Sequence, residues 1–281
     1  MRLTVLYRGP LSSCNYGCDY CPFAKRAESA EAHAVDGEQL ERFVRWCEGR
    51  CSPLRVFFTP WGEALTHQRY QGALIRLSHA PHVEKAAIQT NLSGPLGWLE
   101  GADASKLGVW ATYHPGWAKR SRFVTQCHRL LAQGVSFSVG LVGRPEHVDE
   151  LLALRADLPA KVYVWVNAVK ALADVYAPEV LEVFRRVDPY FELNRSAHAS
   201  LGEACAGGHS VISVDGVGVA RTCHFLKAPI GNLYDVDFGR ALYPRRCTAK
   251  DCGCHIGYVH LERLGLEAIF GPGILERALR G

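Results

Sequence analysis

The sequence predicts an α/β fold built on parallel strands, followed by a small cysteine-rich module. Six short runs rich in Val, Ile, Phe, Tyr and Trp alternate with amphipathic segments of helical length. Several runs are almost continuously apolar, which is typical of strands covered on both faces. Alternation of strand and helix indicates parallel strands joined by right-handed crossovers. Six units are fewer than the eight of a closed barrel, so we expect a partial (β/α)6 barrel or an open sheet.

The predicted elements follow one another at short intervals. The strands are residues 3–7, 56–59, 86–90, 109–113, 137–141 and 162–166. Helices are predicted in segments that begin near Asp36, Gly116 and Pro145. After about Asp188 the pattern changes to a region rich in glycine and cysteine. We therefore divide the chain into a barrel, 1–190, and a module with a helical tail, 191–281, and we expect ligands at the carboxyl ends of the strands.

Charge and hydropathy argue against several kinds of partner. Lys and Arg number 32 and Asp and Glu 28, so the formal net charge of +4 is too small to favour nucleic acid. No apolar run reaches the roughly 18 residues of a membrane-spanning helix. The first residues also lack the long apolar core of a secretory signal. We expect a cytoplasmic protein without a membrane partner.

The 11 cysteines are the most informative residues. Disulfides are rare in the cytoplasm, and an odd number fits a disulfide framework poorly. Eight of the cysteines fall into two groups, Cys14, Cys18 and Cys21 near the start, and Cys205, Cys223, Cys247, Cys252 and Cys254 near the end. This clustering indicates metal binding. The others, Cys47, Cys51 and Cys127, lie in helical segments and are expected to be buried small apolar residues.

The first group follows the first predicted strand with the spacing Cys14-x3-Cys18-x2-Cys21. Three thiolates on one short loop suit zinc or an iron–sulfur cluster. A structural zinc site usually takes four protein ligands, and His33 is the nearest candidate for the fourth. A [4Fe–4S] cluster held by three thiolates instead leaves one iron open to a small molecule.

The segment CNYGCDYC resembles the CxxxCxΦC signature of radical S-adenosylmethionine (radical SAM) enzymes, with Tyr20 as the aromatic residue before the third cysteine. The resemblance implies a [4Fe–4S] cluster held by Cys14, Cys18 and Cys21, with SAM on the open iron and Tyr20 beside the cofactor. It also implies an external one-electron reductant of the flavodoxin or ferredoxin type.

Two later segments extend the resemblance. FFTPWGEAL resembles the glycine–glutamate motif of these enzymes, which implies that Gly62 and Glu63 hold the amino group of the SAM methionine. Trp61 stands where a glycine is common. QTNLS resembles the family's next motif, which implies that Asn91 contacts the SAM ribose or carboxylate, although Leu92 replaces a common glycine.

Further candidates lie at the ends of the fourth and sixth predicted strands. Thr112 is a candidate cofactor contact, and Tyr113 and His114 are candidate catalytic residues. His114 has three open roles: contact with SAM, action on the substrate, or a cap of the turn. Asn167 and Lys170 are candidate contacts to cofactor or substrate, with plain surface or core roles as the alternative.

The second cysteine group begins with Cys205 and Cys223, spaced as C-x12-G-x4-C with Gly218 inside. VISVDGVGVART between them predicts a β-hairpin with turn residues near Asp215 and Gly216. The spacing resembles the SPASM and Twitch auxiliary-cluster modules that follow the barrel in many radical SAM enzymes. This resemblance implies a second [4Fe–4S] cluster.

The second half of this group departs from the usual pattern. Cys247-x4-Cys252-x-Cys254 replaces the common C-x2-C, so which of these three complete the site stays open, and His255 is another possible ligand. Too few cysteines remain for the full two-cluster form. We expect one auxiliary [4Fe–4S] cluster, with zinc as the alternative.

Together the resemblances imply an oxidoreductase that cleaves SAM to a 5′-deoxyadenosyl radical. This radical would take a hydrogen atom from a peptide or a small natural-product precursor. The segments RLTVLYRGPLSSCNYGCDYCPFAKR and CGCHIGYVHL also resemble a bacterial group of compact radical SAM proteins. Members tend to be encoded beside a second radical SAM protein, a sulfatase-like protein and an ATP-grasp-like protein, which implies partner enzymes in a modification pathway.

Two alternatives remain at this point. A nucleic-acid-modifying radical SAM enzyme would need a basic face, for which the chain offers Arg185, Arg186, Arg195, Arg245 and Arg246. A non-catalytic iron–sulfur or zinc scaffold would bind metal without responding to SAM. The Gly62-Glu63 pair argues against a scaffold, because a scaffold has no use for a methionine clamp.

Overall fold

The computed structural model describes residues 2–21, 23, 27–172 and 175–280, and its centre is a mixed sheet of nine strands. The first six lie side by side in chain order, all parallel: β1 (Leu3–Arg8), β2 (Leu54–Phe58), β3 (Val83–Thr90), β4 (Leu107–Thr112), β5 (Ser136–Gly143) and β6 (Val164–Ala168). All six predicted strands are present, with ends that differ by three residues at most. The predicted α/β class with a parallel sheet is confirmed.

Helices connect these strands and form the C-terminal tail. They are α1 (Ala30–Glu48), α2 (Gln68–His79), α3 (Arg120–Ala132), α4 (Val148–Asp157), α5 (Pro178–Val187), α6 (Phe191–Arg195), α7 (His255–Tyr258) and α8 (Leu266–Phe270). None of the helices in the described ranges has the length and apolar character needed to cross a bilayer.

The first helix begins six residues earlier than predicted. The Ser29 side chain accepts a hydrogen bond from the Ala32 N–H and caps the helix, the arrangement expected of serine at this position. Asp36, the predicted start, is buried inside the helix instead. Its carboxylate accepts hydrogen bonds from the Leu11 N–H and from the Tyr70 hydroxyl, which ties the loop after β1 to α1 and α2.

The C-terminal region adds three strands to the same sheet. They are β9 (Val211–Asp215), β10 (Val219–Arg221) and β11 (Pro229–Asn232). β9 and β10 pair antiparallel, which confirms the predicted hairpin, and Gly218 in the turn has a φ of +89°. β9 also pairs parallel with β1, so the sheet order is β11-β10-β9-β1-β2-β3-β4-β5-β6. This long-range pairing was not predicted.

Four shorter strands form two separate ladders. They are β7 (His198–Ala199), β8 (Ala204–Cys205), β12 (Arg245–Arg246) and β13 (Asp251–Cys252). β12 pairs antiparallel with β8, and β13 pairs antiparallel with β7.

The sheet is covered on both faces, as the apolar strands predict. Val5, Val56 and Ile88 belong to one buried cluster, which includes residues of α1 to α5. Their neighbours along the strands point to the opposite face, because side chains alternate in a strand. That face packs against the tail; its cluster includes Leu6, Phe57, Ala87, Trp110 and Trp165 from the strands, and Ile256, Tyr258, Leu266, Phe270 and Leu275 from the tail.

Asp188 provides a test of this packing that depends on pH. Its buried carboxylate accepts hydrogen bonds from the Tyr163 hydroxyl (2.7 Å) and from the Val166 N–H (2.9 Å), and burial raises its pKa to about 6. The folded state therefore binds this proton more tightly than the unfolded chain. Its contribution to the free energy of unfolding should fall as pH rises from about 4 to about 6, by at most about 1.4 kcal/mol per pH unit.

We expect Asp188→Asn to remove the contribution of this carboxyl group to the pH dependence of the free energy of unfolding. The measurement is denaturant unfolding of wild type and variant at several pH values. The exposed Asp149→Asn should keep the wild-type slope. Equal slopes in wild type and Asp188→Asn would contradict the assignment.

Candidate functional site

A cavity of about 440 Å³ opens at the carboxyl ends of the parallel strands, the edge at which the sequence predicts a ligand. Each parallel strand except β5 contributes lining residues at or just after its carboxyl end. Twelve residues singled out from the sequence line it: Cys14, Cys18, Cys21, Gly62, Glu63, Asn91, Thr112, His114, Asn167, Lys170, Cys254 and His255. Residues distant in sequence thus meet in one space.

Gly62 allows the backbone of the cysteine loop to pack directly against the segment that follows β2. The Glu63 N–H donates to the Ser13 carbonyl (3.0 Å), so the two backbones run in contact. A Cβ atom on Gly62 would lie 1.9 Å from that carbonyl oxygen. Only glycine permits this approach, and Ser13 directly precedes Cys14.

Glu63 clamps the ends of β2 and β3 together. Its carboxylate accepts hydrogen bonds from the Thr90 hydroxyl (2.7 Å), the Asn91 N–H and the Leu65 N–H (3.1 Å). Burial nevertheless raises the pKa of Glu63 to about 7, against these three donors. The side chain is 3% exposed, so the carboxylate is part of a fixed polar structure in the wall of the cavity.

Asn91 continues this clamp toward the cysteine loop. Its side-chain N–H donates to the Asn15 side-chain oxygen (2.9 Å), next to Cys14. The next residue, Leu92, has a φ of +56°, a conformation that favours glycine. The sequence therefore places a leucine at a strained position, and its buried side chain compensates by packing in the core.

The three cysteines of the loop are free and close enough to influence one another. Burial raises the pKa of the Cys14 thiol to about 11, with smaller contributions in the same direction from Glu63, Cys21 and Cys18. Thiols held protonated in this way need a positive centre before they ionise, and a bound metal supplies one. Across residues 2–21, 23, 27–172 and 175–280, no three His, Cys, Asp or Glu side chains are arranged around a single metal ion.

This donor set fits an iron–sulfur cluster. Cys14, Cys18 and Cys21 line one part of the cavity, which leaves open space on the far side of the three sulfurs. Thiolates are the protein ligands that such clusters prefer.

His114 contacts both the loop and the cavity. Its Nδ1 lies 2.9 Å from the Tyr20 hydroxyl and 3.5 Å from the Cys18 sulfur, and the Tyr20 ring stacks on the imidazole. Burial lowers the pKa of His114 to about 4, so the ring is neutral at pH 7. Tyr20 therefore acts on the cavity through His114 and does not itself line it.

Tyr113 points to the opposite side of the strand end from Thr112 and His114. Its hydroxyl donates to the Glu150 carboxylate (2.8 Å), and its ring packs against Phe123 on the helical face. Alternation along an extended chain accounts for this placement. Tyr113 therefore does not line the cavity. The catalytic role predicted for it would require contact with the cavity.

The second cysteine group is assembled by the two short ladders. Cys205 lies in β8 and Cys252 in β13. Burial raises the pKa of Cys205 to about 11, with contributions from Cys247 and Cys223, and that of Cys252 to about 12, with contributions from Cys223 and Cys254. The two ladders thus bring these cysteines into one region, although 49 positions separate the first from the last.

Two members of this region face different surroundings. Cys254 lines the cavity, whereas the described lining does not include the other four cysteines of the group. The His255 ring is enclosed by Trp110 (5.1 Å between centroids) and stacks on Tyr258 (5.2 Å). Its Nδ1 lies 3.3 Å from the Asn194 side-chain nitrogen. The His255 ring is therefore already in contact with aromatic rings and with an amide.

Several cavity residues were missed from the sequence. They are Arg8, at the end of β1, and Phe225, after the predicted hairpin. Trp110 and Trp165, on the face of the sheet that packs against the C-terminal tail, were also missed. The position of Arg8 at a strand end was a usable signal. No local pattern marks Phe225, because the pairing of β9 with β1 brings the hairpin beside the parallel strands.

No protein-family model and no curated protein matches the sequence. The structure resembles solved structures of anSMEcpe, an anaerobic sulfatase-maturating radical SAM enzyme. That enzyme with bound AdoMet aligns with a TM-score of 0.52 and 15% identity, over 84% of this chain and 79% of its own. Its complex with AdoMet and the Cp18Cys peptide aligns with a TM-score of 0.54 and 15% identity, over 85% and 80%. The chain therefore shares the fold of anSMEcpe over most of its length.

Proposed function

We propose that this protein is a radical SAM enzyme whose [4Fe–4S] cluster is held by Cys14, Cys18 and Cys21. One observation carries the proposal: these three cysteines line a single cavity with Gly62, Glu63 and Asn91, at the carboxyl ends of the strands. The likeness in fold to anSMEcpe, which binds AdoMet, supports it. Held by these cysteines and reduced by one electron from an external donor, the cluster would supply the electron for cleavage of SAM to methionine and a 5′-deoxyadenosyl radical, and this radical would take a hydrogen atom from the substrate.

The chain's own residues would bind and orient SAM. The backbone at Gly62 and Glu63 is rigid because the Glu63 carboxylate accepts three hydrogen bonds, so it is suited to hold the SAM amino group. Asn91 and Thr112 line the next part of the wall, and Asn167 lies across from them. The neutral His114 beside Cys18 would contact SAM or the substrate without adding charge.

The C-terminal cysteines are proposed to form a SPASM- or Twitch-like module, residues 191–281, with one auxiliary [4Fe–4S] cluster. The two short ladders, which bring these cysteines into one region, support a shared metal site. Residues 1–190 would form the partial barrel. A second cluster close to the cavity would accept an electron from a substrate radical, so an oxidised product is favoured.

A peptide is the proposed substrate, with a small natural-product precursor as the alternative. The support is the Cp18Cys peptide bound to anSMEcpe in one of the aligned structures. A flavodoxin- or ferredoxin-type protein would supply the electron. Other enzymes of a modification pathway are proposed as partners, on the resemblance described above.

The test is formation of 5′-deoxyadenosine from SAM by anaerobically reconstituted protein with dithionite as reductant. Wild type is expected to make the product. The triple variant Cys14→Ala, Cys18→Ala, Cys21→Ala should make at least 100-fold less, because it lacks the ligands of the first cluster.

SAM binding, measured on the same samples, separates the remaining possibilities. Protein that carries its first cluster but neither binds nor cleaves SAM would contradict the proposal and favour a metal-binding scaffold. Salt-sensitive retention of the holoprotein on RNA would favour a nucleic-acid substrate over a peptide.

A further inference from the structure

Two cations that line the cavity have no acidic partner within the described ranges. Arg8 ends β1, and its Nε donates to the Thr59 carbonyl oxygen (2.9 Å). Lys170 follows β6, and its Nζ donates to the Asn194 carbonyl oxygen. Among the described residues, neither side chain forms an ion pair with Asp or Glu. Arg8 is half-buried, and a cation held partly out of water without a counter-charge is unfavourable, so an anionic ligand would stabilise it. Lys170 is exposed and lines the same cavity.

The described part of the cavity lining offers these cations no free carboxylate. In the described lining Glu63 is the single carboxylate, and its oxygens already accept three hydrogen bonds from the protein. Both cations line the same cavity, although they come from the two ends of the set of six parallel strands.

Exposed aromatic side chains surround Arg8 at the mouth of the cavity. The Arg8 guanidinium lies 4.2 Å from the centroid of Trp61 and 6.0 Å from that of Phe23. Trp61, Phe23 and Phe225 are 39%, 41% and 51% exposed and line the same cavity, so together they offer an apolar surface to a ligand. A ligand with an apolar body and an anionic end would cover these rings and pair with the cations.

We propose that Arg8 and Lys170 bind a carboxylate or phosphate group of the substrate, with the apolar part of the substrate against Trp61, Phe23 and Phe225. This inference rests on the proposed function, because it assigns the substrate end of the same cavity. In the proposed function the SAM end is lined by Gly62 and Glu63, which follow β2, and by Asn91, which follows β3. SAM has a carboxylate of its own, and the test must distinguish this source of negative charge from the substrate.

The test uses anaerobically reconstituted, SAM-loaded protein and three probes of similar shape: phenyl phosphate, benzoate and neutral benzamide. Their dissociation constants are measured by ligand-detected NMR, and that of SAM by equilibrium dialysis. Wild type should bind at least one of the two anions tenfold or more tightly than benzamide. The tighter of the two identifies the group as phosphate or carboxylate.

Arg8→Gln and Lys170→Gln should each weaken binding of that anion at least fivefold, while Arg8→Lys retains most of it. Both Gln variants should bind SAM within twofold of wild type. The matched control is Arg186→Gln, an exposed arginine outside the described cavity lining, which should leave all constants unchanged. Thermal unfolding checks that the variants fold.

Two results would overturn the inference. Equal binding of benzamide and both anions would mean that the cations only balance the charge of the cysteine thiolates. A tenfold loss of SAM affinity in either Gln variant would assign that cation to the SAM carboxylate. Failure of the proposed function would appear differently, as wild type that makes no 5′-deoxyadenosine while its anion binding stays measurable.

Discussion

Replacing Gly62 with alanine is expected to deplete the first cluster site of iron and to destabilise the fold by about 3 kcal/mol or more. The new Cβ would lie 1.9 Å from the Ser13 carbonyl oxygen and 2.6 Å from its carbon. Both are backbone atoms, so relief requires the loop to move, and Cys14 moves with it. The measurements are iron per chain after anaerobic reconstitution, 5′-deoxyadenosine formation, and denaturant unfolding.

Gly72→Ala is the matched control for this substitution. Gly72 lies within α2, and a Cβ added there would meet no atom within 4 Å. Alanine should stabilise the helix by up to about 1 kcal/mol and leave the iron content unchanged. Full iron content in Gly62→Ala would show that the loop does not depend on this contact.

Cys205→Ala and Cys223→Ala are each expected to halve the iron content, from about eight to about four atoms per chain, because one of two four-iron clusters is lost. SAM cleavage should survive at a measurable level, since Cys14, Cys18 and Cys21 are untouched. Cys51 is exposed, so the expectation that it is a buried apolar residue is wrong. It lies outside both groups, and Cys51→Ala should retain all the iron.

The cysteine variants also separate cluster from zinc. Zinc in place of iron in reconstituted wild type, lost in Cys223→Ala, would contradict the proposed auxiliary cluster. The same measurement on Cys247→Ala, Cys252→Ala and Cys254→Ala identifies which of these three complete the site.

Local patterns predicted those features that depend on neighbours in sequence. The six parallel strands follow from their apolar runs, and the β9–β10 hairpin follows from Asp215 and Gly216 between two strand-like segments. The grouping of Cys14, Cys18 and Cys21 on one loop is a matter of spacing alone. The start of α1 was placed too late because the acidic residue at 36 was interpreted as a helix start, whereas Ser29 is the cap.

Features that depend on contacts between distant residues needed the tertiary structure. Nothing in the residues of β9 specifies that it pairs with β1, and this pairing brings Phe225 to the cavity. Likewise, the register of β4 decides on which side of the sheet Tyr113 and His114 lie. It places Tyr113 against Phe123 and His114 beside Cys18.

The sequence by itself determined the α/β class, the cysteine loop after the first strand and the Gly62-Glu63 motif, because each is a short pattern of residue types. The tertiary structure alone decided that Glu63 is hydrogen-bonded to Thr90 and Asn91, and that Arg8 and Lys170 share one cavity. The physical reason is that hydrogen bonding and charge balance depend on which groups meet in space. Arg8 and Lys170 are 162 positions apart, and no local sequence pattern shows that residues so distant along the chain meet in the folded protein.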